Sequence, residues 1–271
     1  MGTTEFDAGT AVARAGEDAF TGHLSRDWWV FTGPNGGYLA AILLRALTER
    51  VGDPTRMARS LTVHYLRSPG EGPVEIATRL VRAGRSVATL TATMTQNGAE
   101  VALATAVFAR ARPFLPFHDA VMPDVPAPED TPGPTWPPDL FPPIAQRFAY
   151  LPLTKETVFS GEEKAELACW LRLTEPRPVD PVLLALVADA AAPAVFPKAA
   201  QPVAATTIDL TVHFRAPADA APYDGWVMGA FRSRVSVDGF LEEDGEVWTP
   251  DGRLIAQSRQ LALVVPVGNG A

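Results

Sequence analysis

The chain has 271 residues, 47% of them hydrophobic, which is enough apolar material for one large domain or two of ordinary size. Its formal net charge of −8 argues against a nucleic-acid partner, because such proteins carry basic surfaces that attract phosphates. The single cysteine, Cys169, excludes an internal disulfide and a cysteine-only metal cluster, so we expect it to be a core residue.

The first twenty residues carry four acidic side chains and no long apolar run, so they do not resemble a signal peptide. No run of about 20 uncharged apolar residues occurs further along the chain, so we expect no membrane span. These features are typical of a cytoplasmic protein.

The first half of the chain predicts one helix followed by a group of strands. Residues 36–49 place Leu39, Ile42, Leu43 and Leu47 at helical spacing. Strand-like runs follow, and Asn97-Gly98 between the last two is a strong hairpin signal. The predicted strands are residues 59–66, 74–83, 86–96 and 101–111.

A proline-rich stretch then separates the two halves, and we interpret residues 113–145 as a linker. It is too apolar for a simple solvated tether, so part of it should pack on the body. The residues expected to be buried there are Phe114, Phe117, Trp136, Leu140 and Phe141.

The second half repeats the same order of elements. Residues 181–195 predict an apolar helix that Pro193 should end or kink. Strand-like runs follow, with a turn at Asp251-Gly252 before the last one. The predicted strands are residues 205–214, 225–237, 240–248 and 254–265.

The repeat is also visible in the residues themselves. Leu61-Thr62-Val63-His64-Tyr65 recurs 149 residues later as Leu210-Thr211-Val212-His213-Phe214, and the two hairpin turns lie 154 residues apart. The shared position of His64 and His213 suggests a common packing role. We therefore predict an α+β fold in which each antiparallel sheet wraps its helix, a double hotdog, with units at residues 1–112 and 146–271.

Asp189 is the most informative single residue, because it is the only charged side chain between Asp180 and Lys198 in a strongly apolar segment. It is either an ordinary surface residue of the helix or a functional carboxylate, and its apolar neighbours favour the second reading. Asn35-Gly36-Gly37 similarly predicts a helix N-cap with two permissive glycines. The backbone N–H groups there are also suited to binding a developing oxyanion.

With these residues in place, the chain resembles the bacterial acyl-CoA thioesterase II family of double-hotdog proteins over nearly its whole length. The resemblance rests on six short segments, three in each half. They are Asn35–Tyr38, His64–Pro69, Gly84-Arg85-Ser86, Ala188-Asp189, Ala205–Asp209 and Ala256–Gln260.

The resemblance implies a catalytic trio of Asp189, Thr207 and Gln260, which would activate a water molecule to attack an acyl-CoA thioester. The implied reaction needs no cofactor, because CoA is part of the substrate. Asn35, Gly36, Gly37, Gly84, Arg85 and Ser86 are the expected substrate-binding residues. Candidates to meet the CoA phosphates are Arg79, Arg82, Arg85, Arg232 and Arg234.

Other chemistries are less well supported. The four histidines do not show metal-ligand spacing, so no metal site is expected, and no G-x-S-x-G elbow indicates a serine hydrolase. A hotdog hydratase or dehydratase needs a histidine on the helix, and neither predicted helix contains one. A non-hydrolytic acyl-thioester-binding protein remains the alternative, since fold does not determine function.

The first half lacks the trio. Ala58 and Ala106 occupy the positions that correspond to Thr207 and Gln260, and the first helix has no acidic residue before Glu49. We therefore expect one hydrolytic centre per chain, between the two helices, and a homo-oligomer formed through the hotdog sheets.

Overall fold

The structure is a computed structural model that describes residues 3–112, 114–135, 141–154, 158–216 and 223–267. Its α-helices are α1 (Glu5–Gly9), α2 (Gly36–Val51), α3 (Pro181–Val187) and α4 (Val195–Lys198). Short 3₁₀ helices cover Arg26–Trp28, Pro128–Asp130 and Pro143–Arg147. In the part of the chain described, no helix is long and apolar enough to cross a bilayer.

Fifteen strands are described in chain order, and thirteen of them form one antiparallel sheet. Those of the first half are β1 (Val12–Arg14), β2 (Ala19–Leu24), β3 (Trp29–Val30), β4 (Gly33–Pro34), β5 (Arg56–Tyr65), β6 (Gly72–Ala83), β7 (Val87–Gln96) and β8 (Ala99–Arg110). Those of the second half are β9 (Phe148–Pro152), β10 (Ala165–Leu173), β11 (Val203–Phe214), β12 (Val227–Ser233), β13 (Ser236–Val237), β14 (Phe240–Trp248) and β15 (Leu254–Pro266).

The order across this sheet is mirrored about its centre. It runs β1-β2-β6-β7-β8-β5 in the first half and β11-β15-β14-β12-β10-β9 in the second, with β13 paired to β14 at the side. The two halves join where β5 pairs with β11, and Thr62 hydrogen-bonds Thr211 across that junction at 3.0 Å. The chain is therefore a double hotdog, as the sequence predicted.

The strand registers reproduce the repeat in detail. Ala58 pairs with Phe108 beside a β-bulge between Ala58 and Ser60. Thr207 pairs with Ala262 beside a bulge between Thr207 and Asp209, in the corresponding place of the second half. Ala58 thus occupies the position of Thr207, and by the same register Ala106 occupies that of Gln260.

Helix α2 forms the centre of the core. It packs on β5, β6, β7 and β8 and lies against α3. Asn35 is its N-cap, as predicted, and Gly52 ends it in the left-handed conformation at φ 59°. Cys169 is fully buried, as expected.

Two expectations about packing were wrong. Helix α3 ends at Val187 rather than near Pro193, because the chain tightens into turns in which the Asp189 and Ala190 N–H groups bond the carbonyls three residues back. His64 and His213 are exposed, because both lie on the outer face of the sheet.

The proline-rich stretch also differs from the expectation. Phe114 and Phe117 are 87% and 78% exposed, and Phe141 is half-buried, while Trp136 and Leu140 lie outside the described residues. Packing begins further along, where the Pro126 carbonyl accepts a hydrogen bond from the Trp170 indole and Met122 and Val125 cover a cluster of Trp170, Met228 and Trp248. The linker therefore covers the outer face of the second half. The predicted boundaries at 112 and 146 stay predictions.

Candidate active site

Asp189 lies two residues beyond the end of α3 and faces the start of α2. The Gly37 backbone N–H donates to its Oδ2 at 2.9 Å, and the Asn35 amide donates to Oδ2 at 3.1 Å and to the Asp189 carbonyl at 2.7 Å. The first turn of α2 has no acidic residue of its own. Asp189 therefore supplies, from the other half of the chain, the negative charge that a helix N-terminus favours.

The two glycines permit this close approach. A Cβ added to Gly36 would lie 2.9 Å from the Asp189 Oδ2, and one added to Gly37 would lie 2.6 Å from the Leu186 carbonyl oxygen. Any side chain at these positions would push α2 away from the end of α3. The sequence Asn35-Gly36-Gly37 is therefore required by the contact between the halves as well as by capping.

The protein surrounding Asp189 raises its pKa to about 6, and loss of solvation on burial is the main cause. Hydrogen bonds from the Gly37 N–H, the Gln260 side chain, the Gly36 N–H and the Asn35 amide oppose that rise. The residue remains partly exposed, so water can reach it. At neutral pH the carboxylate is thus mostly charged and moderately basic, which suits a general base.

Thr207 and Gln260 lie on the adjacent strands β11 and β15. The Thr207 hydroxyl donates to the Gln260 Oε1 at 2.8 Å, and the bulge after Thr207 brings the two side chains together although they are not directly opposite. Gln260 is only 7% exposed, whereas Thr207 is partly exposed. The three predicted residues therefore converge, with Gln260 linking Thr207 to Asp189.

Sequence reasoning missed Glu243, which lies directly opposite Gln260 on β14. It is 5% exposed, and its Oε1 accepts a hydrogen bond from the Gln260 Nε2 at 2.7 Å. Burial raises its pKa to about 7. The sequence gives no clear local signal for it, because Glu242 and Asp244 flank it and a run of acids is typical of a solvated face.

Tyr65, a residue of the segments that carry the resemblance, closes the site from β5. Its hydroxyl donates to the Gly36 carbonyl at 2.8 Å. Burial raises its pKa well above the usual value, and the charges of Asp189 and Asp209 raise it further. Tyr65 is therefore neutral and acts as a hydrogen-bond donor to the start of α2.

The expected role of the α2 start as an oxyanion site does not fit the hydrogen bonds present. The Gly37 N–H is bound to Asp189, and the Tyr38 N–H is bound to the Asn35 side-chain oxygen. The first donor holds Asp189 and the second holds the N-cap side chain, so neither faces an open position.

Gly84, Arg85 and Ser86 lie far from the trio. The Gly84 carbonyl is held by Arg56, at the opposite end of β5 from Tyr65. Arg56 and Tyr65 are nine positions apart along this extended strand, which corresponds to roughly 30 Å. The structure therefore does not bring this turn together with Asp189, and its role in substrate binding stays a prediction.

The candidate arginines for CoA phosphates are dispersed on the surface. Arg79, Arg82, Arg85 and Arg232 are exposed, whereas Arg234 forms an ion pair with Asp244 at 2.8 Å. Their role at the CoA phosphates also stays a prediction.

Profiles of known families match both halves of the chain. The acyl-CoA thioesterase N-terminal domain matches residues 25–109, and the acyl-CoA thioesterase C-terminal domain matches residues 123–264. The chain belongs to the acyl-CoA thioesterase family. A search of curated proteins gave no significant match.

Solved structures agree with the family assignment. A hotdog-fold protein of unknown function from Alicyclobacillus acidocaldarius is 33% identical, with a TM-score of 0.88, 98% of this chain covered and 100% of that one. A putative thioesterase II from Thermobifida fusca is 27% identical, with a TM-score of 0.84 and coverage of 98% and 99%. The fold is shared with an acyl-CoA thioesterase II from Mycobacterium marinum at 21% identity, a TM-score of 0.77 and coverage of 96% and 98%.

In this member of the acyl-CoA thioesterase family, the first-half positions that the repeat matches to the trio are apolar. Ala58 and Ala106 correspond to Thr207 and Gln260, and Leu90, which pairs with Ala106, corresponds to Glu243. Counting from the two helix N-caps, Leu44 corresponds to Asp189. All four residues of the first half are buried, so that half offers no polar group for the same chemistry.

Proposed function

We propose that this chain hydrolyses acyl-CoA to a free acid and CoA by water that Asp189, Thr207 and Gln260 activate. The observation that supports the proposal best is the convergence of the three side chains beside the start of α2, in a chain of the acyl-CoA thioesterase family. Asp189 has a raised pKa and partial exposure, which a general base requires.

The proposed reaction follows from these hydrogen bonds. The Gly37 N–H and the Asn35 amide both donate to the Asp189 Oδ2, so we assign Oδ1 to the water. The water donates one proton to Oδ1 and the other to the Thr207 oxygen, which keeps free lone pairs while its own hydrogen is given to Gln260. Its oxygen then attacks the thioester carbon.

The electrons and protons balance without a covalent enzyme intermediate. Attack transfers a proton to Asp189 and forms a tetrahedral oxyanion. Collapse of that oxyanion breaks the carbon–sulfur bond, and the CoA thiolate takes up one proton equivalent from the protonated Asp189. The carboxylate is then ready for another water.

The direct test is release of free thiol from a panel of acyl-CoA esters, from short to long chains, followed with a thiol reagent. We expect thiol release by the native protein and nearly none by Asp189→Asn. Binding of acyl-CoA without thiol release would refute hydrolysis and support the non-hydrolytic binding protein. The panel would also identify the acyl chain length.

The expected homo-oligomer and cytoplasmic location stay predictions. From Val87 to Thr95 in β7 and from Leu103 to Ala109 in β8, the outward positions are all uncharged, and several are threonines. Such a face suits contact between sheets of two copies. Light scattering after size exclusion should give a mass above the 29.0 kDa of one chain, and a mass equal to one chain would contradict the prediction.

A further inference from the structure

Glu243 is a buried carboxylate that the proposed reaction does not use. Both of its oxygens accept hydrogen bonds, Oε1 from the Gln260 Nε2 at 2.7 Å and Oε2 from the Ala194 backbone N–H at 2.6 Å. Ala194 belongs to the segment that follows Asp189. Glu243 is therefore in contact with the strand that carries Gln260 and with the segment that carries the base.

The fold itself does not need an acid at this position. Leu90 occupies the corresponding place in the first half and is fully buried there. Burying a carboxylate instead of a leucine costs several kcal/mol unless hydrogen bonds compensate. The acid is present in the half that has the trio and is replaced by leucine in the half that lacks it, which points to a role in the site.

That role follows from the donors and acceptors that each group has. An ionised carboxylate only accepts hydrogen bonds, so the Gln260 NH₂ must face Glu243 and Asp189, which both accept from it, and the Gln260 Oε1 must face Thr207. The Thr207 O–H must then donate to Gln260. We propose that Glu243 is a positioning residue that fixes the direction of this hydrogen-bond chain, so that the Thr207 oxygen accepts a proton from the attacking water.

The inference rests on the proposed function. It explains how Gln260 and Thr207 help Asp189 to activate the water. With this direction, both Asp189 and Thr207 accept from the water, and the water lone pairs are free to attack. With the opposite direction, the Thr207 O–H would donate to the water, which would occupy one of its two lone pairs and make its oxygen less nucleophilic.

The direction should depend on pH, because it requires the ionised form of Glu243. Burial is the largest cause of its raised pKa of about 7, and the charges of Asp189, after α3, and of Glu242, on its own strand, raise it further. The Ala194 N–H and the Gln260 amide oppose the rise. The acid side of the rate profile should therefore reflect two ionisations, those of Asp189 and Glu243.

Glu243→Gln tests the proposal without changing the size of the side chain. The new amide has one acceptor, which the Ala194 N–H requires, so its NH₂ must face Gln260. Gln260 must then turn over, and the chain to Thr207 reverses. We expect kcat to fall about 10- to 100-fold, the range seen when a residue that orients a metal ligand is replaced, with KM changed less than about twofold.

A paired substitution separates direction from packing. In the double variant Glu243→Gln with Gln260→Glu, the amide at 243 donates to the carboxylate at 260, and Thr207 again donates to an acceptor, while the hydrogen bond from residue 260 to Asp189 is lost. We expect kcat of this double variant to be about tenfold higher than that of the Glu243→Gln single variant. Glu246→Gln, the same change on the outer face of β14, is the matched control and should leave the rate within about twofold.

The pH profile gives a readout that a purely structural role would not change. Between about pH 5 and pH 7, log kcat should rise with a slope above one for the native protein, because two groups ionise, and with a slope of at most one for Glu243→Gln. A Glu243→Gln variant that keeps more than half the native kcat, or a double variant that is no faster than it, would overturn the proposal. If Asp189→Asn still abolished the rate in that case, the proposed hydrolytic function would stand without the role of Glu243. A native protein that releases no thiol would refute both the proposed function and the role of Glu243.

Discussion

Asp189→Asn should lower the rate of hydrolysis and raise the stability of the fold, because the charge of Asp189 favours the reaction and disfavours folding. The substitution keeps the shape of the side chain and removes the base. General-base contributions are typically about 10²–10⁴-fold, and we expect kcat to fall within that range. The protein should remain folded, because an amide oxygen can still accept from the Gly37 N–H.

The effect on stability can be worked out from the pKa of Asp189. It rises from 3.8 to about 6 in the folded protein, which corresponds to about 3 kcal/mol at 1.36 kcal/mol per pKa unit. The folded state holds this proton more tightly than the unfolded state, so the charge destabilises the fold increasingly from about pH 4 to pH 6 and fully above that. Asp189→Asn should therefore raise the free energy of unfolding by up to about 3 kcal/mol at pH 8 and by little at pH 4.

The assay is thiol release together with thermal unfolding at both pH values. At pH 8 the gain should appear as a rise in Tm of up to roughly 6–12 °C for a chain of this size. Asp180→Asn is the control, because Asp180 caps the opposite end of the same helix and asparagine is also a good N-cap. Its rate should stay within about twofold of native. An Asp189→Asn variant that retains more than half the native rate, or that melts below the native protein at pH 8, would refute this account.

The remaining predictions concern the same site. For the native protein, kcat/KM should rise with pH through about 6 as Asp189 loses its proton, and a profile that is flat between pH 5 and pH 7 would count against it as the base. Thr207→Ala and Gln260→Ala should each slow the reaction, and combined with Asp189→Asn they should add almost no further loss, because all three act on one water. Calorimetry with a non-hydrolysable acyl-CoA thioether should give one site per chain, since Ala58 and Ala106 replace the polar residues in the first half; two equal sites would contradict this.

The repeat and most of the sheet could be predicted because strand pairing preserves sequence spacing. The distances of 149 and 154 residues read from the sequence are those at which the registers of β5 with β8 and of β11 with β15 repeat. Strand β10 was missed because the proline-rich linker covers Trp170 on its outer face, so that buried residues occupy both faces and the alternation is lost.

The end of α3 and the role of Glu243 could not be predicted from local pattern. The residues from Ala188 to Ala192 favour a helix by propensity, but Asp189 meets the start of α2, and this tertiary contact requires a turn. Acidic residues flank Glu243 on both sides, and such a run is typical of a solvated face. Only the strand register shows that the Glu243 side chain points inward. Both depend on contacts between distant parts of the chain.

The contact of Asp189 with Asn35 and Gly37 joins residues that are more than 150 positions apart and belong to different repeats. The half without polar catalytic groups therefore supplies the cradle in which the base of the other half is held. In a pair of identical single-hotdog chains, every substitution appears in both copies, so neither copy can specialise. Fusion removes that restriction: one copy is free to become an apolar support and the other to concentrate the chemistry, provided that they are never separated. Expressed apart, neither half would contain a complete site.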